Sequence, residues 1–265
     1  MNRKADYKNW VPKGMIYGLM AGTGVLGAGF VTSMILTKGA GAPLRIGLNA
    51  VLGLATLACG KGAQWSVFAY NQFSYNGKRQ MSKQIIEGTA EHVKIPDGGT
   101  GLDVGCGSGA LTIACAKRNP GAKMQGIDRW GKEYASFSKQ LCESNSKAEG
   151  VDNTSFAQGD ATHLDFEDET FDAVTSNYVY HNIGGVNKQE LLLETLRVLK
   201  KGGTFAIHDI MSKSRYGDMQ AFVDKLKAQG YEEVKLIHTD DGKFMTKIEA
   251  KRLGLTGSTL LVGKK

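Results

Sequence analysis

The pattern of apolar and polar residues divides the chain into two parts of different character. Up to about Gly77 long apolar runs with few charges predominate, whereas from Lys78 onward apolar and charged residues mix at the spacings of helices and strands. We therefore predict an N-terminal helical hairpin over residues 1–77 and a soluble α/β domain over residues 78–265.

The first apolar run predicts a membrane-spanning helix. The 23 residues from Gly14 to Leu36 include no charged side chain, and a hydrocarbon core needs about 20 helical residues. Glycines at spacings of three and four, such as Gly18, Gly22 and Gly24, suit the close packing of two membrane helices. A second helix is possible if Lys61 snorkels to the interface, and we predict helices at about 14–36 and 46–70.

Two alternatives compete with a membrane anchor. A cleavable signal peptide has an apolar core of about 7–15 residues, whereas here a second apolar segment follows at once; buried helices of a soluble protein are the other alternative. Four cations precede the first helix, against Lys38 and Arg45 in the loop, which favours cytoplasmic ends. The prediction is a membrane-anchored protein, with membrane lipid as a partner and a cytoplasmic catalytic domain.

The second region alternates strands with helices, which predicts a doubly wound α/β fold with a mostly parallel sheet. The last two strands are expected to form an antiparallel C-terminal edge hairpin, giving seven strands preceded by two hydrophobic helices. Strands are predicted at residues 100–104, 124–127, 154–158, 171–176, 203–207, 231–239 and 258–263. Helices are predicted at residues 81–93, 110–117, 132–148, 189–199 and 219–229.

Charge and cysteine usage exclude several classes of function. The net charge is +7, but the basic residues are scattered and form no concentrated stripe, so nucleic acid is not predicted as a partner. The four cysteines form no Cys-x-x-Cys pair, and no metal site is predicted. Cys106 lies in a glycine-rich turn, where a small residue is a simpler interpretation than a nucleophile.

That turn, Gly105-Cys106-Gly107-Ser108-Gly109, lies between a predicted strand and a predicted helix. Glycines there allow positive φ and close approach of a ligand to the helix N-terminus. Asp128 ends the next strand, where a carboxylate can hold a ribose diol. Asp103 precedes the turn, and its charge suits a ligand with an amino group and a sulfonium better than a pyrophosphate. Each carboxylate also has a purely local alternative as a turn-capping residue.

Residues 102–109 closely resemble motif I of the class I S-adenosylmethionine-dependent methyltransferases, and the resemblance extends to the C-terminus. Gly126-Ile127-Asp128, Gly159-Asp160-Ala161, Phe171–Val174 and the turn at 199–203 are similar to later segments of that family. The resemblance implies S-adenosyl-L-methionine as cofactor and a Rossmann-like methyltransferase fold. The cofactor-binding residues that it implies are Asp103, Gly105, Cys106, Gly107, Gly109, Asp128, Arg129, Trp130, Gly159, Asp160, Ala161, Asn177 and Tyr178.

In this family the segment after the fourth strand lines the reacting methyl group, and here it reads Ser176 to Ile183. His181 is the predicted general base, with Tyr180 as a second catalytic candidate; a loop-packing role with a satisfied ring nitrogen is the alternative for His181. His208 and Asp209 are secondary candidates for substrate contact. The segment departs from the Asn/Asp-Pro-Pro-Tyr/Phe sequence of many nucleic-acid and protein amino-methylating enzymes.

The domain is most similar to small-molecule enzymes like the quinone-biosynthesis C-methyltransferases. A membrane hairpin beside it suggests a lipophilic acceptor, such as a quinone, a lipid head group, a sterol-like compound or a hydrophobic thiol. The prediction is methyl transfer to such an acceptor at the cytoplasmic membrane face. The alternative is a membrane-anchored sensor or scaffold that binds S-adenosylmethionine without catalysis.

Overall fold

The computed structural model describes residues 4–131 and 136–265. The chain forms two compact units, one made of residues up to Lys8 together with Lys83–Lys265, and the other of Asn9–Ser82. We describe each unit by itself.

The unit Asn9–Ser82 is a helical hairpin. Helix α1 spans Lys13–Leu36, a 3-10 turn follows at Thr37–Gly39, and helix α2 spans Ala42–Phe73. Helix α2 is longer at both ends than predicted. Its early start fits Pro43 in the first turn, because a proline there loses no helical hydrogen bond.

Small residues form the seam between α1 and α2, but they are not the set that the glycine spacing predicted. A Cβ atom at Gly22 would lie 3.1 Å from Cys59 Sγ, and one at Gly53 would lie 3.3 Å from Phe30. Gly18 and Gly24 instead have no atom within 4 Å of a Cβ position in the described structure. The seam therefore uses glycines from both helices, since the direction in which each glycine faces depends on the crossing of the pair.

The other unit contains the predicted seven-stranded sheet, in the order β3-β2-β1-β4-β5-β7-β6. Strands β1 to β5 pair in parallel, and β7 pairs antiparallel with both β5 and β6. The predicted antiparallel edge is confirmed. The strands are β1 Thr100–Val104, β2 Lys123–Asp128, β3 Thr154–Gln158, β4 Phe171–Asn177, β5 Leu199–Ile210, β6 Glu232–His238 and β7 Ser258–Lys264.

Helices connect these strands and cover the sheet. They are α3 Met81–Ala90, α4 Ala110–Arg118, α5 Lys139–Ala148, α6 Lys188–Arg197, α7 Lys213–Tyr216, α8 Met219–Ala228 and α9 Lys247–Leu253. The buried core includes strand residues Leu102, Val174 and Phe205 and helix residues Leu192 and Phe222.

The structure differs from the sequence-based boundaries at several elements, among them α5, α9 and β5. Helix α5 begins at Lys139, where the Ser138 hydroxyl accepts from the Leu141 N–H, so residues 136–138 are not helical; residues 132–135 of the predicted helix lie outside the described residues. Helix α9 was not predicted, although Thr246 and Glu249 form a capping box at its start. Strand β5 begins at Leu199, and the predicted turn before it is a register irregularity opposite β4.

The N-terminal residues also differ from the predicted domain division. Residues 4–8 belong to the α/β unit, and the Asp6 backbone N–H donates to Asn145 Oδ1 of α5 at 2.7 Å. Tyr7 is buried. The hairpin unit therefore starts at Asn9, and the chain reaches it from the α/β unit.

Candidate active site

The glycine turn joins the carboxyl end of β1 to the start of α4. The N–H groups of Gly105 and Cys106 both donate to Ile127 O, at 2.8 and 2.9 Å, which ties the turn to β2. Gly105 has φ of 75°, and a Cβ atom there would lie 2.3 Å from Val179. Only glycine lets the chain after β4 pass this closely. No described side chain caps the N-terminus of α4.

Asp128, at the end of β2, is held beside this turn by two backbone donors. Gly107 N–H donates to its Oδ2 at 2.9 Å and Trp130 N–H to its Oδ1 at 2.7 Å. A carboxylate has about four acceptor positions, so both oxygens retain capacity for a diol. The Trp130 indole N–H donates to Gly107 O at 3.0 Å, while Arg129 is exposed.

Trp130 and Tyr178 have positive φ angles of 44° and 54°. Such angles cost of order 1–3 kcal/mol in a non-glycine residue and cluster at functional sites. Both residues follow strand ends next to the glycine turn, β2 for Trp130 and β4 for Tyr178. The strain thus marks the same edge of the sheet as the carboxylates.

Asp103 lies beneath the turn and is only 1% exposed. Its two carboxylate oxygens accept from the Thr112 hydroxyl at 2.7 Å and the Thr175 hydroxyl at 3.0 Å. Burial raises its pKa to about 6, although the hydrogen bonds from Thr112 and Thr175 oppose that shift. The carboxylate is thus enclosed between hydroxyl groups of α4 and β4, and its contact with the cofactor stays a prediction.

The third predicted carboxylate, Asp160, lies in the exposed turn after β3. Its Oδ1 accepts from the Thr162 N–H at 2.8 Å and the Thr162 hydroxyl at 2.7 Å, and these bonds lower its pKa. Gly159 N–H donates to Asp128 O at 3.1 Å, and Ala161 is partly buried beside the core. The ends of β2 and β3 are thereby joined.

Cys106 is buried within the turn, and burial raises the pKa of its thiol well above the ordinary value. A second thiol, that of Cys142 on α5, lies beside Cys106. The Cys142 Sγ–H donates to Gly107 O at 3.2 Å. A buried, protonated thiol is a poor nucleophile. The interpretation of Cys106 as a small packing residue is therefore favoured.

The secondary candidate His208 is fully buried and does not line a crevice. Its Nδ1 lies 2.9 Å from Asn177 Oδ1 and its Nε2 lies 2.7 Å from the Thr239 hydroxyl. Burial lowers its pKa to about 3. With both ring nitrogens satisfied, His208 is a structural residue, and the expectation that it contacts substrate is corrected; it also occupies the side-chain oxygen of Asn177.

Tyr178 packs beside these groups. Its hydroxyl lies 2.7 Å from the Ser258 hydroxyl, and its ring makes an edge contact with His208 at a centroid distance of 4.6 Å. Tyr178 N–H donates to His208 O at 2.8 Å. The segment after β4 is thus fastened to β5 and β7.

His181 is the one predicted catalytic residue whose ring remains partly accessible, with its side chain 17% exposed. Its Nδ1 lies 2.6 Å from Asp209 Oδ1, and its backbone N–H donates to Asp209 Oδ2 at 3.1 Å. Asp209 also accepts from the Tyr216 hydroxyl at 2.8 Å and from Ile210 N–H at 2.7 Å. The buried carboxylate thereby orients the imidazole and leaves Nε2 available for a proton.

Asp209 retains its charge despite being buried. Burial by itself raises its pKa, but the hydrogen bonds from His181, Ile210 and Tyr216 hold the pKa below its ordinary value. A charged carboxylate stabilises a protonated imidazole beside it. The pair is suited to removing a proton from an acceptor.

Tyr180, the second predicted catalytic residue, is corrected by the structure. Its side chain is fully buried in the core, and its hydroxyl bonds to that of Thr195 on α6. Burial raises its pKa far above the ordinary value. An inaccessible, protonated phenol on the core side of the 3-10 turn Tyr180–Asn182 cannot meet an acceptor.

Sequence reasoning also missed residues that support the site. Thr112 and Thr175 hold Asp103, Tyr216 holds Asp209, and Asn145 donates to Ser108 O at 3.0 Å. Thr175 was a usable signal, because it follows the apolar pair Ala173 and Val174 in a buried strand and a buried hydroxyl needs a partner. Tyr216 and Asn145 carried no such signal.

The chain is similar in sequence to known proteins. Residues 95–252 match the family described as a methyltransferase domain. The chain is 30% identical over 154 residues to the demethylmenaquinone methyltransferase of Bacillus licheniformis, covering 58% of this chain and 62% of the relative, less than two thirds of its length. It is 31% identical over 195 residues to the demethylmenaquinone methyltransferase of Staphylococcus aureus (strain JH9), covering 69% of this chain and 75% of the relative.

A solved structure shares the fold. The geranyl diphosphate C-methyltransferase from Streptomyces coelicolor A3(2), in complex with Mg²⁺, geranyl diphosphate and S-adenosyl-L-homocysteine, matches with a TM-score of 0.54 at 13% identity. The match covers 74% of this chain and 83% of that chain. At this identity the likeness shows the fold.

The sheet order and the strand-end site define a Rossmann-like enzyme fold that binds a nucleoside cofactor. The chain belongs to the class I S-adenosylmethionine-dependent methyltransferases, in the group similar to the quinone C-methyltransferases. S-Adenosyl-L-methionine is the cofactor, and the free acceptor capacity of Asp128 and the glycine-lined turn fit it.

Proposed function

We propose that this methyltransferase transfers a methyl group to a small lipophilic acceptor of quinone type at the cytoplasmic face of a membrane. The observation that carries the proposal is a methyltransferase unit joined to a helical hairpin whose outer surface is apolar. The demethylmenaquinone methyltransferases among its relatives support the acceptor class.

The cofactor would lie along the carboxyl ends of β1 to β4. Asp128 would accept from the ribose hydroxyls, Asp160 and Ala161 would meet the adenine, and the glycine turn would receive the amino-acid part. Trp130 and Asn177 flank this path. The negative field of Asp103 favours the cationic methyl donor. S-Adenosylmethionine supplies an electrophilic methyl group when bound.

His181 would serve as the general base, positioned by Asp209. The imidazole Nε2 takes the proton of an acceptor hydroxyl, which raises electron density at the neighbouring ring carbon. That carbon then forms the new bond to the methyl group as the methyl–sulfur bond breaks, with the bonding pair left on sulfur. The ring carbon loses its proton to water, and the electron pair of that C–H bond restores the aromatic ring. Orientation and base catalysis of this kind contribute about 10²–10⁴-fold in rate.

The exterior of the hairpin supports a membrane location. Sixteen of the eighteen exposed large apolar side chains in the described part of the chain lie between Met15 and Val67. Both helices are long and apolar enough to cross a membrane, and their most apolar windows are 6% and 0% buried. A water-exposed apolar surface of this size would be costly, so lipid is the solvent that fits it.

The length of the hairpin fits a bilayer. The contacts of Leu19 with Gly62 and of Thr23 with Gly60 set a register that places Tyr17 level with Trp65, both exposed. Lys38 and Arg45 flank the connecting turn at the other end. From Arg45 to Trp65 the helix rises about 30 Å at 1.5 Å per residue, which is the thickness of a hydrocarbon core. Aromatic residues at one end and cations at the other are typical interface anchors.

The charge of the chain is concentrated in the hairpin unit. Residues 9–82 contain no Asp or Glu and six cations, Lys13, Lys38, Arg45, Lys61, Lys78 and Arg79, so that +6 of the net +7 lies there. Basic residues beside a membrane segment are attracted to anionic lipids by about 1 kcal/mol each. An anionic lipid surface therefore accounts for the positive net charge, and no nucleic-acid partner is needed to explain it.

The proposal is tested with the full chain in lipid nanodiscs and methyl-labelled S-adenosylmethionine. We expect methyl transfer to a prenylated quinol embedded in the same disc to be much faster than to the same quinol supplied in separate discs, because the anchor holds the enzyme beside its acceptor. Equal rates would contradict a role of the anchor in acceptor supply. Cofactor binding without transfer to any quinol or lipid extract would favour the sensor alternative.

The role of His181 is tested in the same assay. His181→Asn should lower kcat by about 10²–10⁴-fold while leaving the Kd for S-adenosylhomocysteine unchanged. His238→Asn, on the exposed edge strand β6, is the matched control and should retain full activity. An unchanged kcat for His181→Asn would show that the imidazole is only a packing residue.

A further inference from the structure

Residues 4–8, which we call the N-terminal strap, lie against the methyltransferase unit next to the cofactor turn. Tyr7 of the strap is 7% exposed. The Asp6 N–H donates to Asn145 Oδ1 at 2.7 Å, and Asn145 Nδ2 donates to Asp6 O at 3.1 Å. This paired contact joins residues 139 positions apart in the chain.

The same asparagine also holds the glycine turn. Asn145 Nδ2 donates its second hydrogen to Ser108 O at 3.0 Å, and the residue is 2% exposed. An amide has two donor hydrogens, so both are used, one on the strap and one on the turn. One buried side chain therefore bridges the strap and the residue between Gly107 and Gly109.

A second contact from α5 fixes the preceding carbonyl of the turn. Cys142 Sγ–H donates to Gly107 O at 3.2 Å, and Cys142 lies three residues before Asn145, on the same helix face. Consecutive carbonyls of the turn are thus held on α5. A glycine-rich turn has high conformational entropy, and holding it in one conformation before binding lowers the cost of ordering it.

We propose that the N-terminal strap, acting through Asn145, is part of the cofactor-binding site as a positioning element for the glycine turn. The strap continues directly at Asn9 into the hairpin unit. The proposal rests on the assignment of S-adenosylmethionine to this turn. It predicts that loss of the strap contact weakens cofactor binding although neither Asp6 nor Asn145 reacts.

The test compares two buried asparagines in the full chain in nanodiscs. Asn145→Leu removes the bridge, whereas Asn153→Leu removes an asparagine that donates to Ala116 O, Asn119 O and Ala122 O away from the turn. Both variants should lose stability. Only Asn145→Leu should raise the Kd for S-adenosylhomocysteine, by tenfold or more in calorimetry, while kcat at saturating cofactor changes little.

Hydrogen exchange provides a readout that a purely structural role would not change. Adding S-adenosylhomocysteine to the wild-type protein should slow exchange of the amides of residues 4–8, and the slowing should be lost in Asn145→Leu. If that variant does not fold, Asp6→Pro removes the N–H that donates to Asn145 Oδ1 without altering α5 and should raise the same Kd.

The outcomes separate the two assumptions. A wild-type protein that is folded and does not bind S-adenosylhomocysteine would overturn the assignment of the cofactor to the turn. Normal binding by the wild type, with equal affinity in Asn145→Leu or Asp6→Pro and no change of exchange in the strap, would overturn the positioning role alone.

Discussion

Asp103 is a buried carboxylate whose charge should reduce the stability of the protein. It is 1% exposed, and its charged form has two hydroxyl partners, Thr112 and Thr175, with no cation among the partners that the structure gives it. We consider Asp103→Asn, which keeps the shape of the side chain and removes the charge.

The size of the effect follows from the pKa. Burial raises the pKa of Asp103 from 3.8 to about 6, and a difference of about 2 pKa units corresponds to about 3 kcal/mol at neutral pH. Because the folded state holds its proton to a higher pH than the unfolded state, this cost grows as pH rises from about 4 to about 6 and is constant above. The lost or reoriented hydrogen bond of the variant costs about 1 kcal/mol at every pH.

Denaturant unfolding of both proteins at pH 4.5 and pH 7.5 measures this effect. At pH 7.5 we expect Asp103→Asn to be more stable by about 2 kcal/mol, and its advantage should be about 2 kcal/mol larger at pH 7.5 than at pH 4.5. The comparison between the two pH values cancels the hydrogen-bond cost. A variant that is less stable at pH 7.5, or a difference that does not vary with pH, would refute the electrostatic account.

The same variant tests why the charge is present. If the field of Asp103 favours the cationic methyl donor, Asp103→Asn should weaken binding of S-adenosylmethionine more than binding of S-adenosylhomocysteine, which lacks the sulfonium charge. Calorimetry with both ligands measures the ratio. If binding of the two ligands weakens equally, Asp103 acts through the conformation of the glycine turn and not through its charge.

Two further predictions concern the core and the hairpin. Tyr180→Phe removes the buried hydroxyl that bonds to Thr195 and should cost about 1 kcal/mol in unfolding free energy with unchanged kcat; a large loss of kcat would restore Tyr180 as a catalytic residue. Gly53→Leu forces a side chain against Phe30 and should destabilise the hairpin by about 1–3 kcal/mol, measured as thermal stability in nanodiscs. Gly24→Leu, where no described atom lies within 4 Å of the Cβ position, is its control, and equal losses would contradict the proposed seam.

The sheet and the cofactor turn were predictable because their signals are local. Short strand-like segments between helical ones predict β1 to β5 and β7, an alternating segment predicts β6, and the glycines with Asp128 at the next strand end indicate a nucleoside site. The apolar run that ends at Leu36 is also a local signal, since its length and its lack of charged residues can be read from the sequence alone. The pair Thr246 and Glu249 at the beginning of α9 is an equally local signal.

The irregular segment after β4 shows where local patterns stop being informative. Tyr180 and His181 are adjacent in sequence and chemically plausible as catalytic groups, yet one is in the core and the other is partly accessible. A 3-10 turn has no long periodic pattern that would assign its faces from sequence. Tyr180 is buried because it packs against Thr195 of α6, whereas His181 is oriented by its hydrogen bond to Asp209.

By itself the sequence therefore determined the class of fold, the location of the cofactor turn and the existence of an apolar hairpin. Tertiary structure decided which polar groups meet: Asp103 with Thr175, His181 with Asp209, and the strap with Asn145. These contacts join residues 28 to 139 positions apart. Periodicity records which face of an element is buried, but partners in different elements depend on how the sheet and helices pack.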